Sequence, residues 1–527
     1  MVIRALLKRN TYYDSITLMS VAQVAKDLPG VEDIGAVMAT EVNLELLLNA
    51  NLMPVAFLKE QETQPGAEDL LIVVRAIDEG HAEEALAVAE ERLSSRGDHG
   101  TKRNDEMLPT RSLELALKRD EAANLVVISV AGEHAWLEAE QALRHGMHVF
   151  LFSDNVPIEQ EKRLKDLASS KGLLLMGPDC GTAIINGIGL GFSNVVTRGS
   201  IGVVGASGTG MQQIICLIAA AGMGISQAIG TGGRDLSEAI GGIMMRRGLE
   251  MLANDEQTEV IVLVSKPPAD RVAREILVAA QIAKPVVIVF LGADPKRFAS
   301  VATTAHMART LTEGAELAVS LAGGDPRRTP GKDALDKYDL SKERAKLASS
   351  QRYIRALYSG GTLCDETMLL LSEQLGPIAS NIPLRPEWAL TNTETFRGHT
   401  ALDLGSDEFT RGRPHPMIDP TISLQYLAQA AEDPETAVIL LDIVLGFCAQ
   451  QNPASVYSPA IVQAREKSKV AGRSLPVIIS LCGTEGDPQR LSLQRTALEA
   501  AGAMVYESNE IAARATALLV NDTLVQA

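Results

Sequence analysis

Residues 202–213 read GVVGASGTGMQQ. An apolar run ends in Gly205-Ala206-Ser207-Gly208-Thr209-Gly210, and an apolar helical pattern follows at once. Glycines let the backbone curl so that successive N–H groups face one way, and a helix N-terminus adds about half a positive charge. Such a turn can cradle an anion, and Ser207 and Thr209 can add hydroxyl donors. The same residues would also serve as an ordinary tight turn. The stretch lacks the closing Lys and Ser/Thr of a Walker A loop, and its spacing is not the dinucleotide fingerprint. In either reading a strand hands the chain directly to a helix, the unit from which parallel α/β sheets are built.

The alternation continues on both sides. Upstream, NLVVISVAG and MHVFLFSD read as strands, EHAWLEAEQALRHG and PIEQEKRLKDLASSKG as helices, and LLLMGPDCGTAII as a strand ending in a Gly/Pro turn. Downstream come the strands TEVIVLVSKPP and KPVVIVFLGAD and the closing helix TLTEGAELAVSLA. A third unit contains TAVILLDIVLGF, LPVIISLCGT and AMVYES. The expected class is therefore α/β, with tandem Rossmann-like and flavodoxin-like domains. Residues 2–9 and 70–77, with helical patterns between and after them, suggest a small N-terminal α+β domain. The resulting boundaries are 1–95 for that domain, a polar connector over 94–111, then 112–198, 199–323, a charged linker over 324–350, and 351–527.

A length of 527 residues exceeds one core and agrees with several domains. The 49 basic against 66 acidic residues give a formal charge of −17, which argues against a nucleic-acid or anionic-membrane surface. Cys180, Cys216, Cys364, Cys448 and Cys482 are scattered, without ligand spacing for a metal or a disulfide framework. No signal-peptide pattern or membrane-spanning run is present, so the expected location is cytoplasmic.

Other stretches offer chemistry. In open α/β sheets ligands bind beyond the carboxyl ends of strands, where GPDCGT would place Asp179. The turn IGTGGRDL offers Arg234 as a bidentate clamp for a carboxylate or phosphate, or as a cap of its own loop. LLDIVLGFCAQQNP repeats the pattern of strand, glycine and polar residues, with Cys448 as a nucleophile or an inert thiol. LDLGSDEFTRGRPHPMIDP gathers Arg411, Arg413 and His415 in a proline-stiffened loop suited to anion binding or acid–base work, or to a salt-bridged surface.

The strings NLVVISVAGEHAWLEAEQALRHGMHVFLFSDNVP, LLLMGPDCGT, IGVVGASGTG, IGTGGRDL and TEVIVLVSKPP resemble, in order, the alpha subunit of succinyl-CoA synthetase. ALDLGSDEF, PETAVILLDIVLGFCAQQ and LPVIISLCGTEGDPQ resemble the ligase domain of its beta subunit. Over nearly all its length, including KRNTYYDSITLMS, MATEVN, YSGGTLCDE and GRPHPMIDP, the chain is similar to the FdrA family of acyl-CoA-synthetase-like proteins. The resemblance implies succinyl-CoA-synthetase-type domains, with 112–198 CoA-binding-like and 199–323 and 351–527 alpha- and beta-type ligase domains. It implies that two helix N-termini share one phosphate, formed by Ser207, Gly208 and Thr209 and by Gly446, Phe447 and Cys448. Arg234, Arg411 and Asp179 would bind an anionic substrate, and His415 and Arg413 would be catalytic.

Two departures from the ligases accompany it. The glycine-flanked phosphohistidine loop is largely absent, leaving His306 in ATTAHMART, and the N-terminal loop that grips CoA is missing. The ligand expected is thus phosphate or carbamoyl phosphate, with no metal. The function implied is a subunit of a multi-protein oxamate carbamoyltransferase in allantoin and purine nitrogen breakdown. The alternative is an NDP-forming acyl-CoA ligase subunit that takes nucleotide chemistry from a partner. Either implies a heteromer or a homo-oligomer.

Overall fold

The computed structural model describes residues 2–9, 11–13, 15–26, 28–50, 52–53, 65–96, 110, 112–298, 300–301, 304–411 and 413–521. They fall into two compact units, Met1–Ala116 and Leu117–Ala527.

In the first unit three antiparallel strands run in the order Val2–Lys8, Leu70–Ala76, Val31–Met38. The central strand LLIVVRA is buried except at Arg75, and its alternation sorts two cores. Leu70, Ile72 and Val74 pack with Leu18, Val21, Ala85 and Leu93 from the helices Ser15–Lys26 and Glu79–Arg96. Leu71 and Val73 meet Leu47, Leu52 and Met53 on the other face. Most of the polar connector expected over 94–111 lies outside the described residues.

The second unit holds three sheets. A small parallel sheet, Leu125–Ile128, His148–Leu151 and Leu175–Met176, is crossed over by the helices Gly132–Arg144 and Ile158–Ser170. A seven-stranded sheet runs His306–Ala308, Val286–Phe290, Val260–Ser265, Arg198–Ala206, Ile225–Gly230, Thr182–Ile185, Ile188–Gly191. Its first five strands are parallel and the last two form an antiparallel hairpin. That hairpin falls within 112–198 yet completes the sheet of the following domain. The third sheet is six-stranded and parallel: Ile378–Ser380, His399–Asp403, Tyr353–Tyr358, Thr436–Val444, Val477–Cys482, Met504–Tyr506.

Strands such as VIVLVS and TAVILLDIV are buried throughout, as parallel strands covered on both faces must be. One apolar core runs through both large sheets, joining Ile214, Leu217 and Leu311 to Leu363, Met368 and Ile511. Buried polar pairs fix the register between them. Thr310 Oγ1 donates to Glu510 Oε2 at 2.6 Å, and Leu311 N donates to Glu366 Oε1 at 2.7 Å. The stretch expected as a charged linker over 324–350 forms short helical turns at Pro326–Arg328, Lys332–Lys337 and Leu340–Arg344. It is strapped down where the Tyr338 hydroxyl and Lys337 Nζ both bond Glu499, each at 2.7 Å.

Candidate functional site

The parallel strands of the seven-stranded sheet have flavodoxin-like order, the six-stranded sheet runs 2-3-1-4-5-6 in its own strands, and in both the first strand is central with the chain reversing direction of travel across it. The switch point of the seven-stranded sheet lies between Arg198–Ala206 and Val260–Ser265. Ala206 and Ser265 are paired, so the next residues, Ser207 and Lys266, leave the sheet side by side. In the six-stranded sheet the equivalent edge carries Ser359 and Gly360 after Tyr353–Tyr358, beside Asp442 of Thr436–Val444.

Two helices start there and meet. Ser207 caps the helix Gly208–Ala220, its Oγ accepting from Gly210 N at 3.0 Å. The same hydroxyl donates to Thr362 Oγ1 at 2.7 Å, in the first turn of the helix Gly361–Leu375. A Cβ at Gly360 would lie 2.6 Å from Thr209 Oγ1, so glycine is what permits this approach. Asp442 holds the second helix start from below. Its Oδ1 accepts from Ser359 N at 2.6 Å and from Ser359 Oγ at 2.8 Å, and its Oδ2 from Gly360 N at 2.9 Å. The amides of Gly208, Thr209, Gly361, Thr362 and Leu363 all precede the first α-helical bonds, Met211 to Ser207 and Cys364 to Gly360.

Charged groups ring the junction. Lys266 Nζ and Asp403 Oδ2 lie 2.7 and 2.5 Å from the point a Cβ at Gly361 would occupy. Burial opposes the Lys266 charge, but Asp403, Asp365 and Asp179 together hold its ammonium above the ordinary lysine value. Burial pushes the carboxyls of Asp365 and Asp179 up to about 7, with Lys266 pulling the other way. Asp403 and Asp442 are pushed up by burial to about 6. Asp179, with a left-handed φ of 56°, lines a narrow pocket with Ser207, Gly208, Thr182 and Gly232.

Of the residues expected from sequence, Ser207, Gly208, Thr209 and Asp179 come together here. Gly446, Phe447 and Cys448 do not form the second helix start. Gly446 has φ +124° and Cys448 φ +61°, which turn the chain aside, and the helix begins only at Pro453. The Gly446 amide is engaged by Gln489 Oε1 at 3.1 Å and the Phe447 amide by Ser193 O at 2.9 Å. Phe447 and Cys448 are exposed as residues, while desolvation of the Cys448 sulfur holds its thiol above the ordinary value. Arg234 is not a free clamp either. Its Nη2 pairs with the buried Glu161 at 2.8 Å and donates to Val156 O at 2.7 Å.

Arg411 and Arg413 are exposed and make no ion pair among the described residues. His415 is nearer, with Nε2 2.6 Å from the Cβ position of Gly405. Its Nδ1 accepts from Met417 N at 3.2 Å, which puts the proton of the neutral ring on Nε2, and burial pushes the imidazole down to about 4. His415 is thus fitted to donate a hydrogen bond rather than to accept a proton. His306 is exposed on the edge strand, paired with Val287 near the amino end of its neighbour. Three strand spacings, roughly 14 Å, separate that edge from Arg198–Ala206.

Sequence reasoning missed Thr362, Asp442 and Lys266. The signal for Lys266 was a single charge directly after a wholly apolar strand, VIVLVS-K. The signal for the second helix was Ser359-Gly360-Gly361, a glycine turn between strand and helix like that at Ser207.

The chain is 43% identical over 517 residues to the uncharacterized protein YahF of Escherichia coli (strain K12), covering 97% of each. The chain belongs to the FdrA family of acyl-CoA-synthetase-like proteins. Family models match this FdrA-family chain as a CoA-ligase over residues 357–519, a CoA binding domain over 196–292, and an AllF, heavy metal-associated domain over 1–109. The ADP-forming succinate–CoA ligase subunit alpha of Methanothermobacter thermautotrophicus is 28% identical over 173 residues, covering 32% of this chain and 58% of that one. Among solved structures, apo acetyl-coenzyme A synthetase 1 of Ca. Korarchaeum cryptofilum matches at TM-score 0.30 and 15% identity, over 75% of this chain and 82% of that one. The chain is thus succinyl-CoA-synthetase-like, with a CoA-ligase and a CoA binding domain. No cysteine precedes Cys180, and no group of three His, Cys, Asp or Glu able to hold a metal occurs among the described residues. No helix among them is long and apolar enough to cross a membrane.

Proposed function

We propose that the protein is an acyl-CoA-ligase-like enzyme subunit whose two facing helix starts, at Gly208 and Gly361, hold the phosphoryl group of an acyl phosphate. The observation that carries this reading is the 2.7 Å bond between Ser207 and Thr362, which joins the two positive helix ends at one point. A phosphoryl group seated there is stabilised by backbone donors as its leaving charge grows, while the acyl carbon faces an incoming nucleophile. When that nucleophile is the CoA thiolate, the carbon–sulfur bond forms, the carbon–oxygen bond to phosphate breaks, and inorganic phosphate departs. Nucleotide chemistry is left to a partner subunit, as no nucleotide-grasp pattern is recognisable in the sequence.

A second reading keeps the same cradle and makes the acyl phosphate carbamoyl phosphate, within an oxamate carbamoyltransferase. It is favoured by the AllF model over residues 1–109 and by the position of His306 at the sheet edge. Purification with native partners, followed by assays of acyl-CoA formation from acyl phosphates and of carbamoyl phosphate formation from oxalurate and phosphate, separates the two. The cradle reading fails if neither phosphate, acetyl phosphate nor carbamoyl phosphate raises the melting temperature.

A further inference from the structure

At the junction of the two helices lies a lysine with no direct hydrogen-bond or ion-pair partner among the described residues, its charge favoured by carboxylates beyond contact distance. Lys266 Nζ sits against Gly361, at the start of one helix and beside Ser207, the cap of the other. An ammonium at a helix N-terminus is opposed by the partial positive charge there, and here two such ends converge on it. Lys266 makes no hydrogen bond or ion pair among the described residues. Asp403, Asp365 and Asp179 are near enough to favour its charge but make no direct ion pair with it, and Asp403 accepts from Gly405 N at 3.0 Å. By contrast the fully buried Lys165 is directly matched, by Glu161 at 2.9 Å and Asp235 at 2.8 Å. A lysine without a direct partner, beside two helix starts, adds a cationic donor to the free first-turn amides, and that is the donor set a tetrahedral oxyanion takes.

Resting on the phosphoryl cradle described above, we propose that Lys266 is its third arm: a binding residue that contacts the phosphoryl oxygens directly and makes the site select a doubly charged tetrahedral oxyanion. The lysine reaches the cradle from the strand adjacent to the one bearing Ser207, so its stem is fixed by the sheet and only its end must be ordered. A phosphoryl group brought in on a diffusible acyl phosphate is then neutralised by this chain alone, without a histidine carrier.

The test is titration calorimetry of the full chain with inorganic phosphate, comparing the unsubstituted protein with Lys266→Met and Lys266→Arg. Loss of a charge-assisted contact is expected to weaken phosphate binding by about tenfold or more in Lys266→Met, with most of the affinity kept in Lys266→Arg. Unchanged phosphate affinity in a folded Lys266→Met overturns the role of the lysine and leaves the cradle standing. No binding of phosphate or acetyl phosphate by the unsubstituted chain overturns the cradle itself, and the lysine with it. Should Lys266→Met not fold, acetic anhydride labelling of the unsubstituted chain decides. Saturating phosphate is expected to protect Lys266, and equal labelling with and without phosphate overturns the proposal.

Discussion

The Ser207 hydroxyl donates to Thr362 Oγ1 at 2.7 Å while accepting from Gly210 N at 3.0 Å. One side chain therefore caps a helix of one sheet and ties it to the first turn of a helix from the other. Ser207→Ala removes both bonds, and a cap together with a buried hydrogen bond is worth about 1–2 kcal/mol. The urea unfolding midpoint is expected to fall accordingly, with phosphate affinity falling more than in Thr362→Ser, which keeps the hydroxyl.

Gly361→Ala puts a methyl 2.5 Å from Asp403 Oδ2 and 2.7 Å from Lys266 Nζ. Both are ends of flexible side chains, so they can move and the fold survives. The expected result is an unfolding midpoint close to that of the unsubstituted protein and a clear loss of phosphate affinity by calorimetry.

The pH dependence of stability has a definite sign. Asp365 and Asp179 are raised to about 7, and Asp403 and Asp442 to about 6, from a carboxylate value of 3.8. The folded state therefore binds more protons than the unfolded chain, and stability from these groups is full below about pH 4 and is lost as pH rises through 6 to 7. Asp365→Asn cannot ionise. Its urea midpoint is expected to exceed that of the unsubstituted chain at pH 8, with a flatter profile from pH 4 to 7.

Burial holds His415 near 4, so it stays neutral across the physiological range. In an NMR titration its ring protons are expected to shift only around that value, and a rate profile of the enzyme should show no imidazole step near 6.5.

His306→Ala alters an exposed edge position remote from the helix starts. It is expected to leave the melting shift with phosphate unchanged. A lost shift in a folded His306→Ala would contradict the placement of the site.

The strand–helix alternation was legible because parallel strands buried on both faces are written as unbroken apolar runs, and the glycine turn at Ser207 because few residue types curl a backbone so tightly. The pairing of that turn was not. VLGFCAQQ and SGGTL look alike as strings, and only the left-handed turns at Gly446 and Cys448, with the capture of their amides by Gln489 and Ser193, separate them. The partner of Arg234 was illegible for a related reason. Glu161, which engages it, lies on a helix more than seventy residues earlier, and local sequence carries no trace of that encounter.

The strap at Tyr338 and Lys337 joins the sheet bearing Ser207 to the sheet bearing Thr362 along one backbone. Each half of the cradle is therefore supplied to the other at the fixed effective concentration of an intramolecular tether. Dilution, which would empty a site divided between two separate subunits, should leave this one whole.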